Sequence, residues 1–165
     1  MQHLPAPDFE HKICAPEDLP QRIAQLAQPL VFTNGCFDIL HRGHVTYLAQ
    51  ARALGGSLVL ALNTDASVKR QGKGDDRPIN GLENRLAVVA ALQSVDLVTW
   101  FDEDTPANLI ELIQPQVLVK GGDWAIERIV GAKETQARGG KVVSIAFEHT
   151  TSTTQTLAKI REAQA

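Results

Sequence analysis

The sequence predicts an α/β protein built on an open sheet of about five mostly parallel strands, with helices on both faces. Two observations carry this prediction. Short apolar runs recur along the chain, and amphipathic helical patterns lie between them. Glycine, proline or asparagine marks several of the junctions. Strands that alternate with helices form parallel sheets through right-handed crossovers, so this order favours a parallel sheet.

Short apolar runs are the candidate strands. The first follows Pro29 and ends at Asn34-Gly35, and a brief apolar run bounded in this way is typical of a strand buried on both faces. Similar runs recur further along the chain, and the five candidate strands are residues 29–33, 58–62, 95–99, 117–119 and 142–146.

Helical patterns fill the intervals. A short helix is predicted after Pro16, and Thr105 and Pro106 are expected to be the N-cap and first residue of a later one. The core-facing residues recur at spacings of three and four: Leu19, Ile23, Leu26; Val45, Leu48, Ala49; Leu82, Leu86, Val89, Ala90; Leu109, Leu112, Ile113; Leu157, Ile160. Strands and helices together describe a Rossmann-like open sheet.

Length and composition limit the kind of protein. A chain of 165 residues with 44% hydrophobic residues predicts one domain over residues 13–165. Residues 1–12 are expected to form a polar N-terminal arm that is extended or loosely ordered. The net charge of −3 argues against nucleic acid or an anionic membrane as a partner. Neither a signal peptide nor a membrane span is recognised, and Cys14 and Cys36 do not suggest a disulfide framework. These features predict a soluble cytoplasmic protein.

The strongest local motif lies between the first strand and the next helix. Asn34-Gly35 permits a tight turn, and His41 and His44 project from one side of the first helical turn with Gly43 between them. The free N–H groups and positive dipole of a helix start bind anions, so this turn suits a polyphosphate. Two alternatives are a helix cap plus a core histidine, and a zinc pair, although no suitable third ligand lies near in sequence.

These residues resemble a known motif. His41 to His44, preceded by Asn34 to Asp38, resembles the HxGH motif of the nucleotidyltransferase superfamily that includes the cytidylyltransferases. The pattern is most similar to the D-glycero-β-D-manno-heptose 1-phosphate adenylyltransferases, in their stand-alone form. The resemblance covers about residues 13–162 and also rests on residues 63–70, 77–80, 103–106, 119–124 and 152–154.

The resemblance implies a reaction. ATP and the heptose 1-phosphate would give ADP-heptose and pyrophosphate for the lipopolysaccharide core, with Mg²⁺ arriving on ATP and no fixed metal site in the protein. A sugar-phosphate oxygen is already ionised at neutral pH, so its attack on the α-phosphorus needs no general base. Catalysis then requires positioning and charge stabilisation.

The resemblance also implies roles for residues. His41, His44 and Lys73 are the expected catalytic residues at the ATP phosphates. Asp38, Lys120 and Gly121 are expected at the sugar phosphate. The remaining expected residues bind the nucleotide: Asn34, Gly35, Cys36, Phe37, Gly43, Asn63, Asp65, Arg85, Ser152, Thr153 and Thr154.

Several of these roles have structural alternatives. Lys69 competes with Lys73 for the phosphates, although Lys73 is favoured, and the loop over residues 69–80 can equally be a solvated surface loop. Asp65 can cap the following helix, and Arg85 can form a surface ion pair. Helix capping alone explains one of the three hydroxyl residues Ser152, Thr153 and Thr154. Trp124 is expected to lie in the core or to cover the sheet.

The sequence departs from the family pattern at two positions. Thr150 stands where relatives commonly have glycine, and Phe147 stands where the cytidylyltransferases carry arginine. The second departure argues against the cytidylyltransferase branch. Two other functions remain open: another sugar- or polyol-phosphate nucleotidyltransferase, such as one using CTP and glycerol 3-phosphate, and a non-catalytic nucleotide-binding module. ATP and heptose 1-phosphate are the expected partners, and the superfamily suggests a homodimer.

Overall fold

Five parallel strands form one sheet in the order β3-β2-β1-β4-β5. The structure is a computed structural model that describes residues 5–72, 74, 76–149 and 151–163. The strands are β1 Leu30–Gly35, β2 Ser57–Asn63, β3 Leu97–Phe101, β4 Val117–Gly121 and β5 Lys141–Ile145. The predicted α/β fold class is confirmed. The third strand begins two residues later than the sequence predicts, because Asp96 lies in the preceding turn and its carboxylate accepts the Leu58 N–H.

Seven α-helices and three short 3-10 helices accompany these strands in the described residues. The α-helices are α1 Leu19–Ile23, α2 Arg42–Arg52, α3 Asp65–Arg70, α4 Leu82–Ala90, α5 Ala107–Ile113, α6 Ala132–Ala137 and α7 Thr153–Glu162. The 3-10 helices are Asp8–Lys12, Pro16–Asp18 and Ile126–Arg128. Helix α6 has no apolar repeat in the sequence, and its buried residues are only Ala132 and Thr135. None of the helices in these parts of the chain is long and apolar enough to cross a membrane.

Two apolar cores lie on opposite faces of the sheet. Helices α2 and α4 cover one face, where Leu48 and Leu86 pack on Val31, Leu60 and Val98. The second core is covered by α1, α5 and α6, and its members include Leu19, Phe32, Val59, Ile110 and Ala132. Successive strand residues alternate between the two cores, as expected for a sheet buried on both faces.

The buried face of α2 differs from the predicted one. Val45 is 43% exposed and Ala49 is exposed, whereas Tyr47, Leu48 and Ala51 are buried. The Tyr47 hydroxyl lies 2.5 Å from the Thr33 hydroxyl on β1, and this buried polar contact fixes which side of the helix faces the sheet. A helical face that is predicted only from the spacing of apolar residues does not take such a polar contact into account.

The described part of the N-terminal arm is folded onto the domain. Residues 8–12 form a 3-10 helix, Phe9 packs against the core under α4, and Lys12 donates to the Leu92 carbonyl at 3.1 Å. The Cys14 N–H then donates to the Val98 carbonyl at 2.8 Å on edge strand β3. Residues 8–12 therefore differ from the extended or loosely ordered arm that the sequence suggests.

The strand order places a crevice between β1 and β4. The chain proceeds outward from β1 through β2 to β3, then returns to add β4 and β5 on the other side of β1. Ligands of open α/β sheets bind where the strand order reverses, at the carboxyl ends of the strands. Here that place is the edge formed by Gly35 and Gly121, the last residues of β1 and β4.

Candidate active site

A cleft of about 270 Å³ opens at the carboxyl end of β1. The N-termini of α2 and α7 both border it, so two sets of free backbone N–H groups face the same region. Its lining brings together eight of the predicted site residues with Arg77, Phe147 and Thr151: Cys36, Phe37, Asp38, His41, His44, Ser152, Thr153 and Thr154.

His41 and His44 lie together at the start of α2. His41 is the N-cap residue, with extended backbone at φ −142° and ψ 171°, and its carbonyl accepts the His44 N–H at 3.0 Å. The two imidazole rings stack with centroids 3.9 Å apart. Gly43 makes this possible, because a Cβ there would lie 3.0 Å from His41 Nδ1. The predicted projection of both rings from one side of the turn is confirmed.

Burial favours the neutral form of both imidazoles. Burial, and then the neighbouring His41, lower the pKa of His44 to about 4, and burial also lowers the pKa of His41. The Nδ1 atom of His44 is buried and has no hydrogen-bond partner among the described residues. A neutral imidazole carries its one proton on either Nδ1 or Nε2. Placing that proton on a buried nitrogen that has no acceptor nearby costs free energy, because the N–H group is left unsatisfied. We therefore assign the proton of His44 to Nε2, where it can be donated to a ligand.

The start of α7 lies beside His41. The Ser152 hydroxyl caps α7 by accepting the Gln155 N–H at 3.2 Å, so Ser152 has the structural role that capping alone predicts. The Thr153 hydroxyl donates to the Ile39 carbonyl at 3.2 Å, and the Thr151 hydroxyl lies 3.4 Å from His41 Nδ1. These contacts join α7 to the segment that leads into α2. Thr150 lies outside the described residues.

The floor of the cleft contains a buried ion pair. Arg77 Nε donates to the Asp38 carboxylate at 2.6 Å, and both side chains are almost fully buried. The same carboxylate accepts the N–H groups of Ile79 and Asn80 at 2.9 and 2.8 Å. Burial raises the pKa of Asp38, but these N–H groups and Arg77 together hold it below its ordinary value. Asp38 thus fixes residues 77–80 against the cleft, and its predicted contact with a sugar phosphate stays a prediction.

Arg85 connects the three segments that surround the strand ends. It is 1% exposed, and it donates to the carbonyls of Cys36, Asn63 and Asn80 at 2.8–2.9 Å and to the Asp65 carboxylate at 2.6 Å. Arg85 therefore does form an ion pair, with Asp65, but from a buried side chain and not at the surface. Asp65 does not cap α3 either, because the Thr64 hydroxyl accepts the Ser67 N–H.

The basic residues between 69 and 77 point in different directions. Arg70 turns away from the cleft, where its Nε donates to Asp104 at 2.8 Å, whereas Arg77 lines the cleft. Lys69 is exposed at the end of α3. Lys73, the favoured catalytic lysine, lies outside the described residues, so its role stays a prediction.

Two further cavities continue from the histidines along the sheet edge. The first, of about 250 Å³, lies between the ends of β1 and β4, and His44, Lys120, Gly121, Trp124 and Phe147 line it with Asn34, Gly35, Cys36, Phe37 and Tyr47. The second, of about 360 Å³, shares Asn34, Lys120 and Trp124 with the first. Gly35 permits this arrangement, because a Cβ there would lie 2.8 Å from the Phe37 ring.

Asn63 and Cys36 lie behind this edge. Asn63 is buried and donates to the Ser67 hydroxyl at 3.0 Å, and the Cys36 thiol lies 3.4 Å from Gln71 Oε1. Within the described residues, no group of three His, Cys, Asp or Glu side chains is placed to hold a metal ion.

Sequence reasoning missed some of the lining residues. Gln71 and Arg128 line the 360 Å³ cavity, and Phe147 lines both of the cavities beside His44. Arg128 lies in a short 3-10 helix without an apolar repeat, so no local pattern identifies it. The departure from the family pattern at Phe147 could have identified this residue as part of the site. Phe147 follows β5, at the same carboxyl edge of the sheet as the other motifs.

Comparisons with known proteins agree with this geometry. Residues 32–159 match the cytidylyltransferase-like family. A D-beta-D-heptose 1-phosphate adenylyltransferase of Bordetella bronchiseptica is 51% identical over 93% of this chain and 96% of its own length. The bifunctional protein HldE of Marinomonas sp. is 53% identical over 89% of this chain, and the match spans 31% of that longer protein.

Solved structures with similar folds are also known. The lipopolysaccharide core biosynthesis protein of Thermoplasma volcanium has a TM-score of 0.59 and 26% identity, covering 74% of this chain and 98% of that one. Pantothenate synthetase from Thermus thermophilus, at 19% identity and a TM-score of 0.57 over 82% of this chain and 61% of its own, shares the fold. The chain belongs to the cytidylyltransferase-like family, as the motif of His41 and His44 predicts.

Proposed function

We propose that the protein transfers AMP from ATP to D-glycero-β-D-manno-heptose 1-phosphate, giving ADP-heptose and pyrophosphate. The observation that carries this proposal is the stacked pair of neutral histidines between two helix N-termini, at the entrance of a further cavity lined by Lys120. The Bordetella relative, named a D-beta-D-heptose 1-phosphate adenylyltransferase, matches this chain over almost all of its length, and this supports the proposal.

The reaction follows from charge stabilisation. An oxygen of the sugar phosphate bonds to the α-phosphorus of ATP, the bond from that phosphorus to the bridging oxygen breaks, and pyrophosphate leaves with the electron pair. The N–H groups of His41 and His44 donate to α-phosphate oxygens, where negative charge accumulates. The free N–H groups at the start of α7 receive the pyrophosphate. No proton is transferred in this step, which agrees with imidazoles that stay neutral.

The 360 Å³ cavity beside Lys120 suits the acceptor. An in-line displacement needs the attacking and leaving oxygens on opposite sides of the phosphorus. With pyrophosphate at α7, the acceptor phosphate approaches from the side of Lys120, and the sugar occupies the 360 Å³ cavity with Gln71 and Arg128. Mg²⁺ arrives bound to the triphosphate. We further propose that the protein acts in the cytoplasm as a homodimer. Neither nucleic acid nor a membrane is among its proposed partners.

The first test measures pyrophosphate release. We expect turnover with ATP and heptose 1-phosphate, and little with CTP or with glycerol 3-phosphate. Preference for CTP and glycerol 3-phosphate would favour the polyol-phosphate alternative. Tight ATP binding without turnover on either acceptor would favour the non-catalytic binding module and overturn the proposal.

The second test removes the histidines. His41→Ala and His44→Ala should each lower kcat by about 100- to 1,000-fold, the usual effect of losing one donor to a developing oxyanion. His11→Ala is the matched control, because the His11 side chain is exposed in the N-terminal 3-10 helix and its ion-pair partner there is Asp8 at 3.5 Å. Near-normal turnover in either site variant would contradict the phosphate role.

The third test concerns the acceptor. Lys120→Ala should raise the KM for heptose 1-phosphate more than the KM for ATP, because Lys120 borders the cavity proposed for the sugar phosphate. Equal increases in both KM values would remove this assignment.

A further inference from the structure

Two exposed aromatic side chains meet at the proposed active site. Among the described residues, Trp124 and Phe147 are the only aromatic members of the exposed large apolar side chains, at 48% and 51% exposure. Both line the same 250 Å³ cavity between β1 and β4, which His44 lines as well. Exposing two large aromatic side chains in one place leaves apolar area in water, so this arrangement points to a ligand.

The Gly121-Gly122 pair brings the two rings to the end of β4. A Cβ at Gly121 would lie 2.8 Å from Phe147 Cζ, and one at Gly122 would lie 2.8 Å from Trp124 Nε1. Any side chain at either position would displace one of the rings. The two glycines therefore let both rings lie directly against the backbone that borders the cavity.

Both rings are held in place. Trp124 donates its indole N–H to the Gly121 carbonyl at 3.1 Å, and its backbone N–H donates to the Ser144 hydroxyl at 3.0 Å. Phe147 packs edge-on against Tyr47 with ring centroids 5.8 Å apart. Since the only polar group of the indole is already bonded within the protein, what both rings offer a ligand is an aromatic surface.

We propose that Trp124 and Phe147 hold the nucleobase of the nucleotide substrate. This proposal rests on the proposed nucleotidyl transfer, in which the α-phosphate lies at His44, and His44 and both rings line one cavity. A flat base buries its faces well against aromatic rings, whereas a heptose presents hydroxyl groups that need hydrogen-bond partners. Base stacking depends little on base identity, so the pair supplies affinity, and other groups select adenine.

The test separates base contacts from phosphate contacts. Calorimetric titration with ATP should show the Kd rising about 5- to 100-fold in Phe147→Ala and in Trp124→Ala, the range expected for one lost stacking partner. Titration with tripolyphosphate, which has no base, should give the wild-type Kd in both variants. Phe147→Leu retains apolar area without an aromatic face, and we expect it to lie between wild type and Phe147→Ala. Val88→Ala, at a side chain 51% exposed on α4 and outside this cavity, is the matched control.

Each outcome bears on a definite claim. An unchanged Kd for ATP in Phe147→Ala and Trp124→Ala would overturn the base site while leaving the proposed transfer intact, provided the wild type turns over. A raised KM for heptose 1-phosphate with unchanged ATP affinity would assign the rings to the sugar and overturn the proposal. Equal losses for ATP and tripolyphosphate would show a general disturbance of the cleft, which also contradicts it. Failure of the wild type to bind ATP at all would remove both the base site and the proposed function.

Discussion

Replacing Arg85 with lysine tests whether the strand ends are held by one buried guanidinium. Arg85 reaches four acceptors on three separate segments, and its side chain has no exposed surface. The ammonium of lysine presents its donors from a single atom, so it cannot reach the carbonyls of Cys36, Asn63 and Asn80 together. We count two lost hydrogen bonds to a charged donor, each worth about 1.5 kcal/mol or more, which gives a loss of about 3 kcal/mol in the free energy of unfolding.

The matched control is Arg52→Lys. Arg52 makes a similar pair of contacts, to the Asp96 carboxylate at 2.6 Å and the Gly55 carbonyl at 2.8 Å, but its side chain is 33% exposed at the opposite end of the sheet. Water replaces lost partners there, so we expect a loss of no more than about 1 kcal/mol. Urea unfolding followed by circular dichroism measures both variants. In thermal melts, about 3 kcal/mol corresponds to a Tm lower by roughly 6–12 °C for a chain of this size.

Activity distinguishes the two arginines further. Arg85 touches no substrate in the proposed mechanism and is a positioning residue, so its loss acts through the backbone of Cys36 and Asn63. We expect Arg85→Lys to lower kcat/KM by about tenfold or more at a temperature where it is folded, because small displacements at a reacting centre are costly. Arg52→Lys should keep wild-type kcat/KM. An Arg85→Lys protein within about 1 kcal/mol of wild type and fully active would refute this reasoning.

Three shorter predictions concern the histidine turn and its support. Gly43→Ala should lower kcat/KM by displacing the His41 ring while leaving stability within about 1 kcal/mol, since alanine favours the helix; unchanged kinetics of pyrophosphate release would contradict it. Asp38→Asn should cost about 3–5 kcal/mol in urea unfolding, because Arg77 is left buried without its counter-charge; a loss below about 1 kcal/mol would argue against the pair. The folded pKa of His44, about 4, lies below the unfolded value of about 6.5, so stability is full above pH 6.5 and falls as the pH drops towards 4. At pH 5 the loss should be about 1 kcal/mol after allowance for partial exposure, and His44→Gln should lack this part of the decline in urea midpoints measured from pH 7.5 to 5.

The features that the sequence predicts correctly are local. Strands β1 and β2 appear as short apolar runs because both of their faces are buried, and the run itself carries that information. His41 and His44 were identified in the same way, since a three-residue spacing at a helix start places two side chains together whatever surrounds them. Their neutral state could not be predicted, because the burial that lowers the pKa of His44 comes from the folded protein.

The features that the sequence does not predict depend on distant segments. Arg85 lies in a helical pattern where a charged residue normally marks the solvent face, yet its partners Cys36, Asn63 and Asn80 come from three other places in the chain. Asp38 lies in the motif that predicts a substrate contact. Its carboxylate, however, accepts hydrogen bonds from Arg77, Ile79 and Asn80. In both cases the chemistry of the residue is recognisable while its partner is set by tertiary structure.

The charge of the cleft follows from the same contacts. Residues 69–77 gather positive charge in the sequence, but Arg70 pairs with Asp104 outside the cleft and Arg77 is neutralised by Asp38 on its floor. Other donors that border the cleft are the N–H groups of the His41 and His44 imidazoles and of two helix N-termini. Fixed dipoles of this kind stabilise negative charge without binding the polyphosphate as strongly as a cluster of free cations. Since pyrophosphate must leave after each transfer, such dipoles would favour its release, and the predicted contact of Lys73 with the phosphates would add a charge to them.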